Sequence, residues 1–190
     1  MTGAAASGPV DAIGPRDVLA FWRAAGPDQW FDKDEAFDSA IAARFLALWH
    51  AAAAGSLASW EETAEDALAL AIVLDQFPRN MFRGDPRTYA ADTLARAVAE
   101  RALARGFDRQ LPHLDRQFLY LPFMHSEDVA DQERSLALAR DYGDEEFTSY
   151  AEQHAAIIRR FGRFPHRNAI LGRATTADEQ AFLDGGGFAG

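Results

Sequence analysis

Apolar residues along this chain recur three and four positions apart far more often than they alternate with polar ones, so the pattern predicts helices and almost no strand. Start and stop residues cut the pattern into segments. Pro15 suits the first turn of a helix running to about Ala25, and Asp34 is placed to cap a longer one reaching Ala54, which Gly55 stops. Thr63, with Asp66 three residues on, starts a helix that is expected to end by Pro78. Asp85 and Pro86 open one that Gly106 closes, and Pro112 starts a short aromatic helix through Leu121. Ser126 is read as the cap of a helix lasting to about Tyr142; Gly143 breaks before another from Asp144 to Phe161. Pro165 marks a further first turn, and Thr176 with Glu179 forms a capping box for a last short helix.

About eight or nine short-linked helices predict an all-α fold, an antiparallel array of helical hairpins. A repeat of about 34 residues with the usual tetratricopeptide pattern is not found. The stretch "DALALAIVLDQ" is apolar on nearly every side, which makes it the expected central, buried helix. One domain over 15–184 is expected, with loose tails at 1–14 ("MTGAAASGPV" at its start) and 185–190 ("GGGFAG").

Charge narrows the partners. A net charge of −10 and a pI near 4.9 argue against nucleic acid, which needs a broad cationic face. The longest run without Asp, Glu, Lys or Arg, Phe45 to Trp60, is 16 residues, too short to span a bilayer. No basic head and apolar run of a signal peptide opens the sequence, so a cytoplasmic protein without a membrane partner is expected. With no cysteine, neither a disulfide nor a thiolate metal site can form.

Against that acidic background, "RRFGRFPHRNAILGR" at 159–173 carries five arginines and a histidine and no acid. It follows a stretch, residues 126–152, that holds nine acids against two arginines. Guanidinium suits bidentate carboxylate pairing, so some of these arginines are expected to clasp the preceding hairpin. Exposed pairs contribute only about 0–1 kcal/mol each, which leaves room for a cationic pocket as well.

Candidate chemistry gathers on a few residues. Asp75 follows Leu68 by seven positions and Ile72 by three, on the buried face of the central helix and in its expected last turn, where the dipole disfavours negative charge. Such a carboxylate needs a cation, and Arg79 or Arg167 is the expected partner. The phrases "QFPRN" at 76–80 and "RFPHRN" at 163–168 each stop a helix with proline and leave an arginine and an asparagine at the turn, so the two turns are expected side by side. His154 shares an inward face with Tyr150, Ile157, Ile158 and Phe161; Gln132 shares one with Val129 and Leu136. His125 and Glu127 match the first part of a zinc-deaminase motif whose cysteine half is missing. No helical His pair, glycine-rich phosphate loop, nucleophile elbow or dinucleotide fingerprint is present, so no metal or cofactor is expected.

"DVLAFW", "LDQFPRNMFRG", "FLYLPFMHSEDVADQERS" and "RRFGRFPHRNAILGR" followed by "TTADEQAFL" resemble, in order, the bacterial domain-of-unknown-function family 924, over about Asp17 to Leu183. The resemblance implies an all-helical, tetratricopeptide-like fold and no established activity. Its polar motif positions fall on Asp75, Gln76, Arg79, Asn80, Tyr120, His125, Ser126, Glu127, Gln132, His154, Arg160, Arg163, His166, Arg167 and Asn168; Met124 departs from the glutamate that members often carry. These residues are expected to line one groove that binds a small anionic molecule or an acidic peptide. Two rival expectations stand beside it: an enzyme with His125 or His154 as general base and Arg163 or Arg167 stabilising negative charge, and a structural charge network with no ligand. The oligomeric state is not read from the sequence.

Overall fold

The computed structural model describes residues 13–188, which are helical or irregular with no strand. The helices are α1 (Pro15–Ala25), α2 (Pro27–Trp30), α3 (Glu35–Ala53), α4 (Ala64–Met81), α5 (Asp92–Ala104), α6 (His113–Met124), α7 (Val129–Tyr142), α8 (Glu145–Phe161) and α9 (Ala177–Asp184), with 3₁₀ turns at Ala58–Glu61, Pro86–Tyr89, Asp108–Gln110 and Pro165–Arg167. The expected N-terminal tail lies almost wholly outside the described residues.

Local signals set most boundaries. Asp34 accepts from the amides of Ala36 and Phe37 at 2.8 and 3.2 Å, and Thr176 and Glu179 form the reciprocal box that opens α9. Gly143 and Gly162 end α7 and α8 in the left-handed conformation that a side chain disfavours.

Four boundaries differ from expectation. α4 continues through Pro78 to Met81, and α6 through Pro122 to Met124. Each proline removes one helical N–H, yet the amide of Phe82 still bonds the Pro78 carbonyl at 3.0 Å, and burial of both prolines offsets the loss. Asp75 therefore lies well inside its helix rather than in its last turn. The segment after Asp85 splits into a 3₁₀ turn and α5. Asp128, not Ser126, caps α7: it accepts from Ala130 N at 2.7 Å, while the Ser126 hydroxyl bonds Asp131 at 2.6 Å.

As the apolar run predicts, α4 is the central element, packed against α1, α3, α5 and α6. Its Phe77 stacks on Phe45 at 4.7 Å and meets Trp22 edge-on at 5.8 Å, and Trp22 reaches Phe118 of α6 at 5.4 Å. A second, smaller core gathers Ile157, Ile158 and Phe164 with Phe161, Phe182 and Phe188. Residues 185–188, expected to be loose, place Phe188 there against His154. The candidate site lies where the two cores meet.

A buried Asp–His–Arg cluster as the candidate functional site

Asp75 is fully buried on α4, and three donors surround its carboxylate. Gln76 Nε2 donates at 2.5 Å, His125 Nδ1 lies 2.9 Å from Oδ1, and Arg79 Nη1 lies 3.3 Å away. Burial alone would raise the carboxyl's pKa, but Arg79 and His125 outweigh it and hold the group ionised. Arg79 also grips Asp92 of α5 with both terminal nitrogens, at 3.0 and 3.1 Å.

From the other side Arg167 arrives at the same Asp92, with Nη1 3.5 Å from Oδ2. The "QFPRN" and "RFPHRN" turns thus do meet, through Asp92 and through the ring of Tyr89, which both guanidinium groups face at 6.0 and 4.5 Å. Arg79, not Arg167, is the arginine partner of Asp75. Arg167 is held between Tyr89 and Phe164, 4.5 Å from each centroid, and is only 6% exposed. Among the described residues nothing hydrogen-bonds its guanidinium, and its Nε is cut off from solvent without a partner. Burial and the neighbouring Arg79 lower its pKa.

Phe164 carries two histidines beside that arginine: His154 at 5.5 Å and His166 at 5.6 Å between centroids. His125 lies 6.4 Å from His154. His154 Nδ1 is 2.8 Å from the Tyr150 carbonyl, and His166 Nδ1 is buried without a partner. Burial lowers all three pKa values, to about 3 for His154 and about 4 for His166, so the rings are neutral near pH 7. Phe188 covers His154 at 4.6 Å and His166 at 5.4 Å.

The expected single groove is thus divided. Asp75, Gln76, Arg79, His125, His154, His166 and Arg167 form this cluster. Glu127, Arg163 and Asn168 form an adjoining clasp: Glu127 accepts from Phe164 N and takes both terminal nitrogens of Arg173, while Arg163 and Asn168 meet Glu179 of α9. Arg159 reaches Glu133 at 2.5 Å. Of the five arginines in the basic segment, three therefore clasp carboxylates bidentately or at short range, and Arg163 is already matched as a stabiliser of negative charge. Gln132 donates to the carbonyls of Phe123, Met124 and Ser126 and ties the end of α6 to α7. Asn80 bonds Asp38, Tyr120 bonds Asp108, and Arg160 lies exposed over Phe161; none belongs to the cluster.

Sequence reasoning missed Asp92, Tyr89, Phe188 and Glu179 as members. An acid in a helix's first turn reads as a dipole complement, and an aromatic reads as core, so neither carries a distinguishing local signal. Two shallow surface hollows lie elsewhere, one beside Phe21, Phe37 and Arg44 and one at the α7–α8 turn. Among the described residues no group of three or more His, Asp or Glu is arranged to hold a metal, and no helix is long and apolar enough to cross a membrane.

Fold and cluster together define an all-helical protein with a buried, unevenly matched charge site. The family model described as a bacterial protein of unknown function, domain-of-unknown-function family 924, matches residues 18–187, and the chain belongs to that family. It is similar to the solved structure of a protein of unknown function from Agrobacterium tumefaciens, with 48% identity over 90% of this chain and 97% of that one and a TM-score of 0.87. A comparison with curated proteins gives no match.

Proposed function

We propose that the protein binds a small anionic molecule, a carboxylate or a phosphate, at Arg167. One observation carries the reading. A guanidinium 6% exposed, without a hydrogen bond among the described residues and sharing Asp92 with Arg79, is under-compensated in a way that a bound anion corrects. The contrast with its neighbours supports this, since Arg163 and Arg173 have carboxylates in fork geometry and Arg167 has two aromatic faces and one long ion contact. Two charge-assisted bonds from the Arg167 fork are the natural complement.

Thermal-shift and calorimetric titration of the full chain with acetate, propionate and orthophosphate tests this. A ligand at 100 times its dissociation constant adds about 2.7 kcal/mol of stability, and Arg167→Gln removes that gain. Absence of any saturable binding, or equal binding by Arg167→Gln, overturns the reading.

A further inference from the structure

We infer that the anion recognised beside Arg167 carries a hydroxyl group next to its charge, and that Nε2 of His125 and Nε2 of His154 are the acceptors that read it: the ligand is a small hydroxy acid. The inference rests on the anion-binding reading and deepens it. It follows from counting protons on the two rings. The Asp75 carboxylate can only accept, so the 2.9 Å contact requires the proton on His125 Nδ1. The Tyr150 carbonyl can only accept, so the 2.8 Å contact requires the proton on His154 Nδ1. A neutral imidazole carries one N–H, which leaves both Nε2 atoms as bare lone pairs.

Neutrality has a physical cause. Burial dominates at both rings, Arg79 opposes a charge on His125, and His125 and Arg167 oppose one on His154. No hydrogen bond to either Nε2 occurs among the described residues. Asp75 is itself locked by Gln76 and Arg79, so the His125 tautomer is held by a rigid partner rather than by a mobile one.

The cluster therefore offers an unusual pair of demands within one small space. Arg167 has only donors and wants an acceptor, while the two histidines, 6.4 Å apart between ring centroids, offer acceptors and want a donor. A plain carboxylate meets the first demand and turns oxygen lone pairs toward the second. A carboxylate with an adjacent hydroxyl meets both. A site built to hydrogen-bond a hydroxyl discriminates strongly against the analogue that lacks it, because its own polar atoms are then left unpaired.

Lactate and propionate differ at this point by a hydroxyl for a hydrogen. Calorimetric titration of the full chain is expected to give lactate an affinity about tenfold or more above propionate, and His125→Gln to reduce that ratio while propionate binding persists. Equal affinities for the two overturn the hydroxy-acid assignment and leave anion binding standing; no binding of either overturns both. A ligand-free measurement guards against a variant that fails to fold: the imidazole ¹⁵N resonances of the unmodified protein are expected to show a protonated Nδ1 and a bare Nε2 at His125 and His154. A protonated Nε2 at both overturns the assignment directly.

Discussion

Asp75 contributes through its neighbours rather than through its own helix. Set inside α4 and fully buried, it would be costly if left alone, and Arg79, Gln76 and His125 jointly compensate it. Removing one partner of such a buried pair costs about 3–5 kcal/mol, whereas removing both costs less than the two losses combined. Urea denaturation of Asp75→Asn, Arg79→Gln and the double variant is therefore expected to show strong coupling. The same cycle with Arg167→Gln is expected to show a smaller one, because Arg167 meets Asp92 and not Asp75. Equal coupling in the two cycles would contradict the pairing described. Arg79 stands four residues from Asp75 on one helix, a spacing visible in the sequence, while the 50-residue separation of His125 is not.

At the scale of elements, α9 and the segment after it hold the second core together and seat Phe188 over two histidines. Gly187 is needed for a steric reason. A Cβ there would lie 2.6 Å from the Phe182 ring and from the Phe182 carbonyl oxygen. Gly187→Ala is expected to push the segment away, at a cost of about 1–3 kcal/mol if the neighbours yield only partly. Hydrogen exchange read by mass spectrometry is expected to rise in α9 and around His154 while α4 stays protected. Unchanged exchange around His154 would mean that Phe188 does not cover it.

The whole molecule answers to acid through its buried histidines. In the unfolded chain a histidine titrates near 6.5, whereas His125, His154 and His166 titrate lower when folded. Below about pH 6.5 the unfolded state binds more protons than the folded one, so stability falls as pH drops, at up to about 1.4 kcal/mol per pH unit for each histidine involved. The loss continues down to about 4 for His166 and about 3 for His154. Asp75, held below its ordinary range, adds its own loss once the pH approaches that of a free carboxylate. Denaturant midpoints are expected to be flat between pH 7 and 8 and to decline steadily from 6.5 to 5. His154→Gln should flatten the decline by about one proton, and a variant with the wild-type slope would refute the burial of a neutral ring there.

Local chain physics determined what the sequence alone could show. Asp34, Thr176 with Glu179, Gly143 and Gly162 act on amides or carbonyls within about four residues, so caps and stops were legible, as was the central place of an all-apolar α4. Its continuation through Pro78 was not, because burial against neighbouring helices outweighed a local penalty. The charge excess of 159–173 over 126–152 foretold a clasp, and Arg159 with Glu133 and Arg173 with Glu127 form it. Which arginine would stay unmatched was decided only in three dimensions. Arg163, Arg167 and Arg173 are alike as letters, and opposite charges pair by distance through space, which packing of α4, α5 and α8 sets and residue order does not. Packing gave Glu179 to Arg163 and Glu127 to Arg173, and set Arg167 between two rings with a carboxylate already held by Arg79.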